Sequence, residues 1–135
     1  FAELSDAVLD TLMQAALRLP SNECDLMVAQ VGGQVNRVPA DAMAFARRDV
    51  AFVVNVHTRW RDPGQDAECI TWARSLFDAL APHAMGSVYV NFIPDDETDR
   101  IRSAFGPNYA RLAEIKRRYD PQNLFRLNQN IAVTH

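Results

Sequence analysis

At 135 residues and 15.2 kDa the chain suits one domain, able to bury roughly two-thirds of its unfolded surface in a single core. Hydrophobic residues at 48% and charged residues at 23% match folded globular proteins, which excludes a disordered tail or a fibre. A net charge of -3 and a pI near 5.5 leave no general positive field for nucleic acid or anionic lipid, and without a bilayer-length apolar run or signal-peptide order the expected location is the cytoplasm.

Leu4, Val8, Leu12, Ala15 and Leu19 recur at helical spacing until Pro20, which predicts a first helix. Asp25 to Val31 alternates loosely and ends at Gly32-Gly33, the pattern of a strand running into a tight turn. A loop follows. Phe52-Val53-Val54-Asn55-Val56 is almost continuously apolar and predicts a second strand, covered on both faces and central in its sheet. After the Arg61-Asp62-Pro63-Gly64 turn, Cys69, Trp72, Leu76 and Leu80 share one face of the longest helix, which stops at Pro82.

Gly86 to Phe92 predicts a third short strand, with Tyr89 and Asn91 on one face and Val88, Val90 and Phe92 on the other. Asp95 and Asp96 suit the amino terminus of a helix carrying Ile101 and Phe105 as far as Gly106-Pro107. A last helix holds Leu112, Ile115 and Tyr119. Together these elements predict an α+β fold: an antiparallel sheet of about three strands covered by helices, in one domain spanning 1–135. So small a sheet has exposed edges, which invite a homodimer or the missing strands of a longer parent. The sequence also opens at Phe1 rather than Met, which implies a cleaved, trimmed or partial product.

Tyr89 is the candidate acid or base, since a phenol transfers a proton when a neighbouring positive charge or a flavin favours its anion; the alternative is a half-buried strand tyrosine bonded to water or backbone. Asn91 shares its face, and a carboxamide offers both donor and acceptor to a ring edge. Asn128, Gln129 and Asn130 follow the apolar Leu124 and Phe125, the composition of a docked tail or of a polar cap on the sheet. Lys116-Arg117-Arg118 belongs to the last turn of a helix, where cations meet the dipole. His57, His83 and His135 are scattered without an acidic partner at ligand spacing, so neither a metal site nor a nucleophilic triad is expected. Arg47-Arg48 before Asp49 is a pocket-lining pair or loop charge. Gly32-Gly33 lacks the third glycine and following helix of a dinucleotide loop. Cys24 and Cys69 have no metal-ligand spacing and are expected as free buried thiols, able to pair only if the fold joins them.

Tyr89-Val90-Asn91-Phe92, then Gly106-Pro107-Asn108-Tyr109-Ala110-Arg111-Leu112, then Lys116-Arg117-Arg118-Tyr119-Asp120-Pro121-Gln122-Asn123-Leu124-Phe125 resemble the closing segment of berberine bridge enzyme-like oxidases. Gly32-Gly33, Ala44-Phe45, Trp60 with Asp62-Pro63, and Trp72-Ala73-Arg74 resemble the substrate domain of bacterial members, so the resemblance runs from about residue 26 to 133, with 86–133 as the closing segment. It implies a two-domain enzyme: one domain, absent from this chain, holds FAD, and a second lays an antiparallel sheet over the flavin ring. By the same resemblance Tyr89 takes a hydroxyl proton while hydride passes to flavin, and Asn91, Asn128 and Asn130 lie near the cofactor. The implied partners are an FAD-binding domain or chain and a small-molecule substrate. Arg47-Arg48 departs from the His-Arg pair of relatives, and Gln34 from a small residue. The expected function is that of a carboxyl-terminal fragment of an FAD-dependent oxidoreductase acting on an alcohol, sugar or related hydroxyl compound. The rival expectation is a non-catalytic ligand-binding or dimerising module of the same fold.

Overall fold

The computed structural model describes residues 1–86, 88–93, 100–127 and 129–132. Asp95 and Asp96, Asn128, His135 and Ser87 of the third expected strand lie outside them. In chain order the elements are α1 (Asp6–Ala16), β1 (Asp25–Gln30), α2 (Gln34–Arg37), β2 (Phe52–His57), α3 (Asp66–Leu80), α4 (Ile101–Phe105) and α5 (Tyr109–Tyr119). Short 3-10 turns occupy Pro63–Gln65, Ala81–His83, Val90–Phe92 and Gly106–Asn108. Helices and a small antiparallel sheet are thus both present, gathered into two compact units: Phe1–Gly32 with Val50–Met85, and Gly33–Asp49 with Gly86–His135.

The first unit sets two helices against one face of a two-stranded sheet. β1 and β2 pair antiparallel, with Leu26 opposite Val56 and Val28 opposite Val54. Because side chains alternate along a strand, Leu26, Val54 and Val56 share one face, and these three pack against the buried Val8 and Leu12 of α1 and Leu76 and Leu80 of α3. Burying each such aliphatic side chain contributes about 1.5–3 kcal/mol. The Asp62 carboxylate accepts from the Gly64 N–H at 2.9 Å and caps the Pro63–Gln65 turn that leads into α3, whose first turn carries the negative charges of Asp66 and Glu68. Cys24 and Cys69 are free and buried, as expected, and the fold does bring them side by side. Burial pushes the Cys69 thiol above its ordinary value, and the adjacent Cys24 adds to the rise.

Three expectations are corrected here. β2 is not central among the described residues: it pairs only with β1, and all six of its residues are half-buried. Continuous apolar character reflects partial cover along its length, not a strand on each side. His57 does have an acidic partner, because antiparallel register sets it opposite Asp25, whose Oδ1 lies 2.8 Å from His57 Nδ1. The segment around Tyr89 is not a strand: Phe92 N donates to Tyr89 O at 2.8 Å and Ile93 N to Val90 O at 3.3 Å, closing the 3-10 turn. Backbone groups must find partners, and with none alongside, this stretch pairs within itself.

The second unit buries Ile93, Ile101 and Ala104 against Val88, Val90, Phe105 and Tyr109. Gly33 enters α2 at φ 62° and ψ -128°, a conformation that favours glycine, so the glycine pair does lead into a helix, though one of only four residues. After α5 the buried Asp120 carboxylate accepts from Leu124 N at 2.7 Å, Phe125 N at 3.0 Å and Lys116 Nζ, while Lys116 Nζ also donates to Phe125 O. Asn123 takes the left-handed conformation at φ 52° to make this turn. Lys116 is therefore one half of a buried ion pair rather than a freely solvated cation. Its hydrogen bond to Asp120, ahead of the two backbone N–H donors, holds that carboxyl below its ordinary value against the opposing effect of burial.

Leu76→Ala is expected to lower stability by about 2–5 kcal/mol, read as a lower denaturant midpoint at unchanged slope. Asp120 has a folded value below its unfolded one, so its contribution is present above about pH 4 and fades as pH falls through the lower folded value. Asp120→Asn should therefore melt several degrees lower at pH 7, and the gap from the unaltered protein should close on acidification below that range.

Candidate functional site

The site in the second unit is assembled by a loop that has little regular structure of its own. Asn108, buried at the end of the Gly106–Asn108 turn, donates through Nδ2 to Ala40 O at 2.7 Å and to Met43 O at 2.9 Å. Arg111, on the first turn of α5, donates to Asp41 O at 3.2 Å. These bonds hold the loop that carries Phe45 and Arg48. Arg48 Nη1 donates to Val35 O at 2.8 Å, and its guanidinium lies 4.8 Å from the centre of the Phe45 ring. A cation over an aromatic face is attracted by the ring quadrupole, by about 0.5–2 kcal/mol depending on desolvation.

Phe45 meets the Tyr89 ring edge-on at 6.1 Å, and Tyr89 meets Phe92 the same way at 5.0 Å. Such perpendicular pairs are favoured because ring edges are positive and faces negative. Tyr89 is therefore bracketed by two rings yet remains 39% exposed. Asn91 Nδ2 donates to the Tyr89 hydroxyl oxygen at 3.1 Å, so the structure does bring the two expected residues together, through the turn instead of a strand face. The N–H occupies one side of the phenol oxygen, and its other side stays open to a ligand.

The tail is partly docked. Gln129 Nε2 donates to Ile93 O at 2.9 Å, and Asn130 is half-buried with an Oδ1 that has no hydrogen-bond partner. Leu124, Phe125 and Leu127 are exposed by contrast, at 71%, 83% and 86%. Arg47 forms an ion pair with Asp49 at 3.4 Å, and Arg48 joins the aromatic cluster. Its Nε and Nη2 are buried without hydrogen-bond partners. A hollow of about 110 Å³ lies against Asp41, Met43, Asn108, Arg111 and Leu112, but Tyr89 and Asn91 do not line it. That volume is below the roughly 300–1,000 Å³ of ordinary ligand pockets, so the exposed Tyr89 cluster is the better candidate. Among the described residues no group of His, Cys, Asp and Glu could hold a metal ion.

Comparisons with known proteins converge on one family. The "Berberine and berberine like" family model matches residues 88–132, the segment that contains Tyr89, Asn91, Asn108 and Asp120. YgaK, an uncharacterized FAD-linked oxidoreductase of Bacillus subtilis, is 30% identical over 128 residues, covering 95% of this chain and 28% of that protein. In fold, the chain is similar to a glycopeptide hexose oxidase complexed with teicoplanin (TM-score 0.81, 24% identity, 96% of this chain and 30% of that one). It is equally similar to BBE-like 1 of Physcomitrella patens (TM-score 0.81, 22% identity, 97% of this chain and 28% of that one). The chain thus spans less than a third of the length of these proteins. It is a berberine bridge enzyme-like sequence with the corresponding fold.

Because Asn108 anchors two loop carbonyls, Asn108→Ala should cost about 1–3 kcal/mol and speed amide exchange through residues 40–48.

Proposed function

We propose that this berberine bridge enzyme-like chain serves as the carboxyl-terminal, substrate-facing part of an FAD-dependent oxidoreductase acting on a hydroxyl-bearing compound such as an alcohol or sugar. The observation that carries the proposal is the exposed Tyr89 hydroxyl, bonded by Asn91 and bracketed by Phe45 and Phe92, inside the segment matched by the family. The hexose oxidase among the structural relatives supports a sugar-like substrate.

In this reading Tyr89 acts as its phenolate, takes the proton of the substrate hydroxyl and becomes the phenol, while the Asn91 carboxamide N–H donates to that oxygen and orients it. Phe45 and Phe92 fix the ring and exclude water from its two edges. FAD, when bound, accepts the hydride released from the substrate carbon. The carboxamides suit a heteroaromatic ring edge: Asn130 has a buried acceptor oxygen awaiting a donor, and Asn91 stands at the tyrosine. Asn128, outside the described residues, would extend that set. The larger part of the flavin site is then supplied by sequence beyond these 135 residues, as the 28% coverage of YgaK suggests.

Replacing Tyr89 by Phe in the complete FAD-loaded protein should retain the flavin spectrum and lower kcat by about 10²–10⁴-fold, the usual range for a lost general base. Unchanged turnover would exclude Tyr89 as the base.

A further inference from the structure

The first unit contains a pair of sulfur nucleophiles that the chemistry around Tyr89 does not use. Cys24 stands immediately before β1 and Cys69 is the fourth residue of α3, and both are buried, at 4% and 0% exposure. They meet because the chain ahead of β1 is fastened to the chain ahead of α3. Arg61 Nε lies 2.7 Å from Glu23 Oε1, Gln65 Nε2 donates to Pro20 O at 3.2 Å, and Cys24 Sγ donates to Arg59 O at 3.5 Å. A hydrogen bond between Cys69 and Cys24 completes the contact.

A thiol has a single hydrogen to donate. That of Cys24 goes to Arg59 O, so the bond between the sulfurs runs from Cys69 to Cys24. One buried cysteine is ordinarily a small packing residue, whereas two in sulfur-to-sulfur contact form a dithiol in which one can resolve the oxidation of the other. Their burial keeps bulky disulfides out and admits only a small oxidant. We propose that Cys24 and Cys69 are a modification site, a dithiol that hydrogen peroxide converts to a disulfide joining the start of β1 to the first turn of α3.

The slight exposure of Cys24 makes it the sulfur that peroxide reaches first. Cys24 Sγ attacks one peroxide oxygen, the O–O bond breaks, and the second oxygen leaves as water with the Cys24 proton, giving the sulfenic acid. Cys69 Sγ then attacks Cys24 Sγ. The S–S bond forms as the S–O bond breaks, and the departing hydroxide takes the Cys69 proton to become a second water. Two electrons have passed from the two sulfurs to one peroxide. Burial holds the Cys69 thiol protonated until that second step, which suits the resolving partner. Neither Tyr89 nor FAD enters this chemistry, so the site stands or falls apart from the proposed function.

The complete, folded protein is treated with excess hydrogen peroxide, its remaining thiols are alkylated on denaturation, and its peptides are mapped by mass. The peptides of Cys24 and Cys69 should lose their alkylation together and appear as one linked species lighter by two hydrogens, which a phosphine reductant separates again. In Cys69→Ala the reaction should stop at a Cys24 sulfenic acid that a cyclic 1,3-diketone traps, and in Cys24→Ala the Cys69 thiol should remain alkylatable. Separate alkylated peptides after peroxide treatment of the unaltered protein, or a link from either cysteine to some other thiol instead, overturn the proposal. Mapping the unaltered protein requires no substitution, so a variant that failed to fold would leave that decision intact.

Discussion

A buried polar side chain costs free energy until its hydrogen bonds are made, and this constraint organises the second unit. Asn108 and Asp120 are its buried polar residues among those described, and each is satisfied by backbone from a segment without regular structure. Asn108 spans a sequence separation of 68 to reach Ala40 O, and so decides where the loop bearing Phe45 and Arg48 runs. Asp120 gathers Leu124 N, Phe125 N and Lys116 Nζ, and so decides how the chain leaves α5. The apolar cluster of Ile93, Ile101 and Ala104 is small, and non-directional burial alone would leave both segments poorly specified. The short polar motifs of the family match thus have physical work to perform apart from chemistry.

The first unit relies on a different device. Its two strands bury one face against α1 and α3, and period-two alternation leaves the opposite face for polar residues. Register then couples Asp25 to His57 with no help from sequence proximity, and a slip of one residue would dissolve that contact while exposing Leu26 and Val56. Specificity of pairing and specificity of the polar face are therefore one property. Apolar packing behind the sheet is what holds that hydrogen bond in front of it.

Around Tyr89, exposure and order coexist because the ring is held at its edges instead of being covered. Phe45 comes from the anchored loop, Phe92 and Asn91 from the adjoining turn, and Arg48 supports Phe45 from behind. A side chain so placed keeps a defined orientation and leaves its hydroxyl available, which is the requirement for a group that exchanges a proton with a ligand.

Local periodicity determined much of this protein from the sequence alone. α1, α3 and α5 follow from helical spacing, β1 from loose alternation and β2 from an almost continuous apolar run, because those signals act over a few residues. Motifs spread over the chain carried the family, and the neighbourhood of Tyr89 and Asn91 was legible for the same reason. Only tertiary structure decided what depends on a distant partner. The stretch at Val90–Phe92 has strand composition, yet forms a turn because its backbone has no strand to pair with among the described residues. Phe45 reaches Tyr89, and Asp25 reaches His57 across a separation of 32, through loop anchoring and strand register. Neither leaves a local trace, since a hydrogen bond between remote residues constrains their positions in space and not their spacing in the chain.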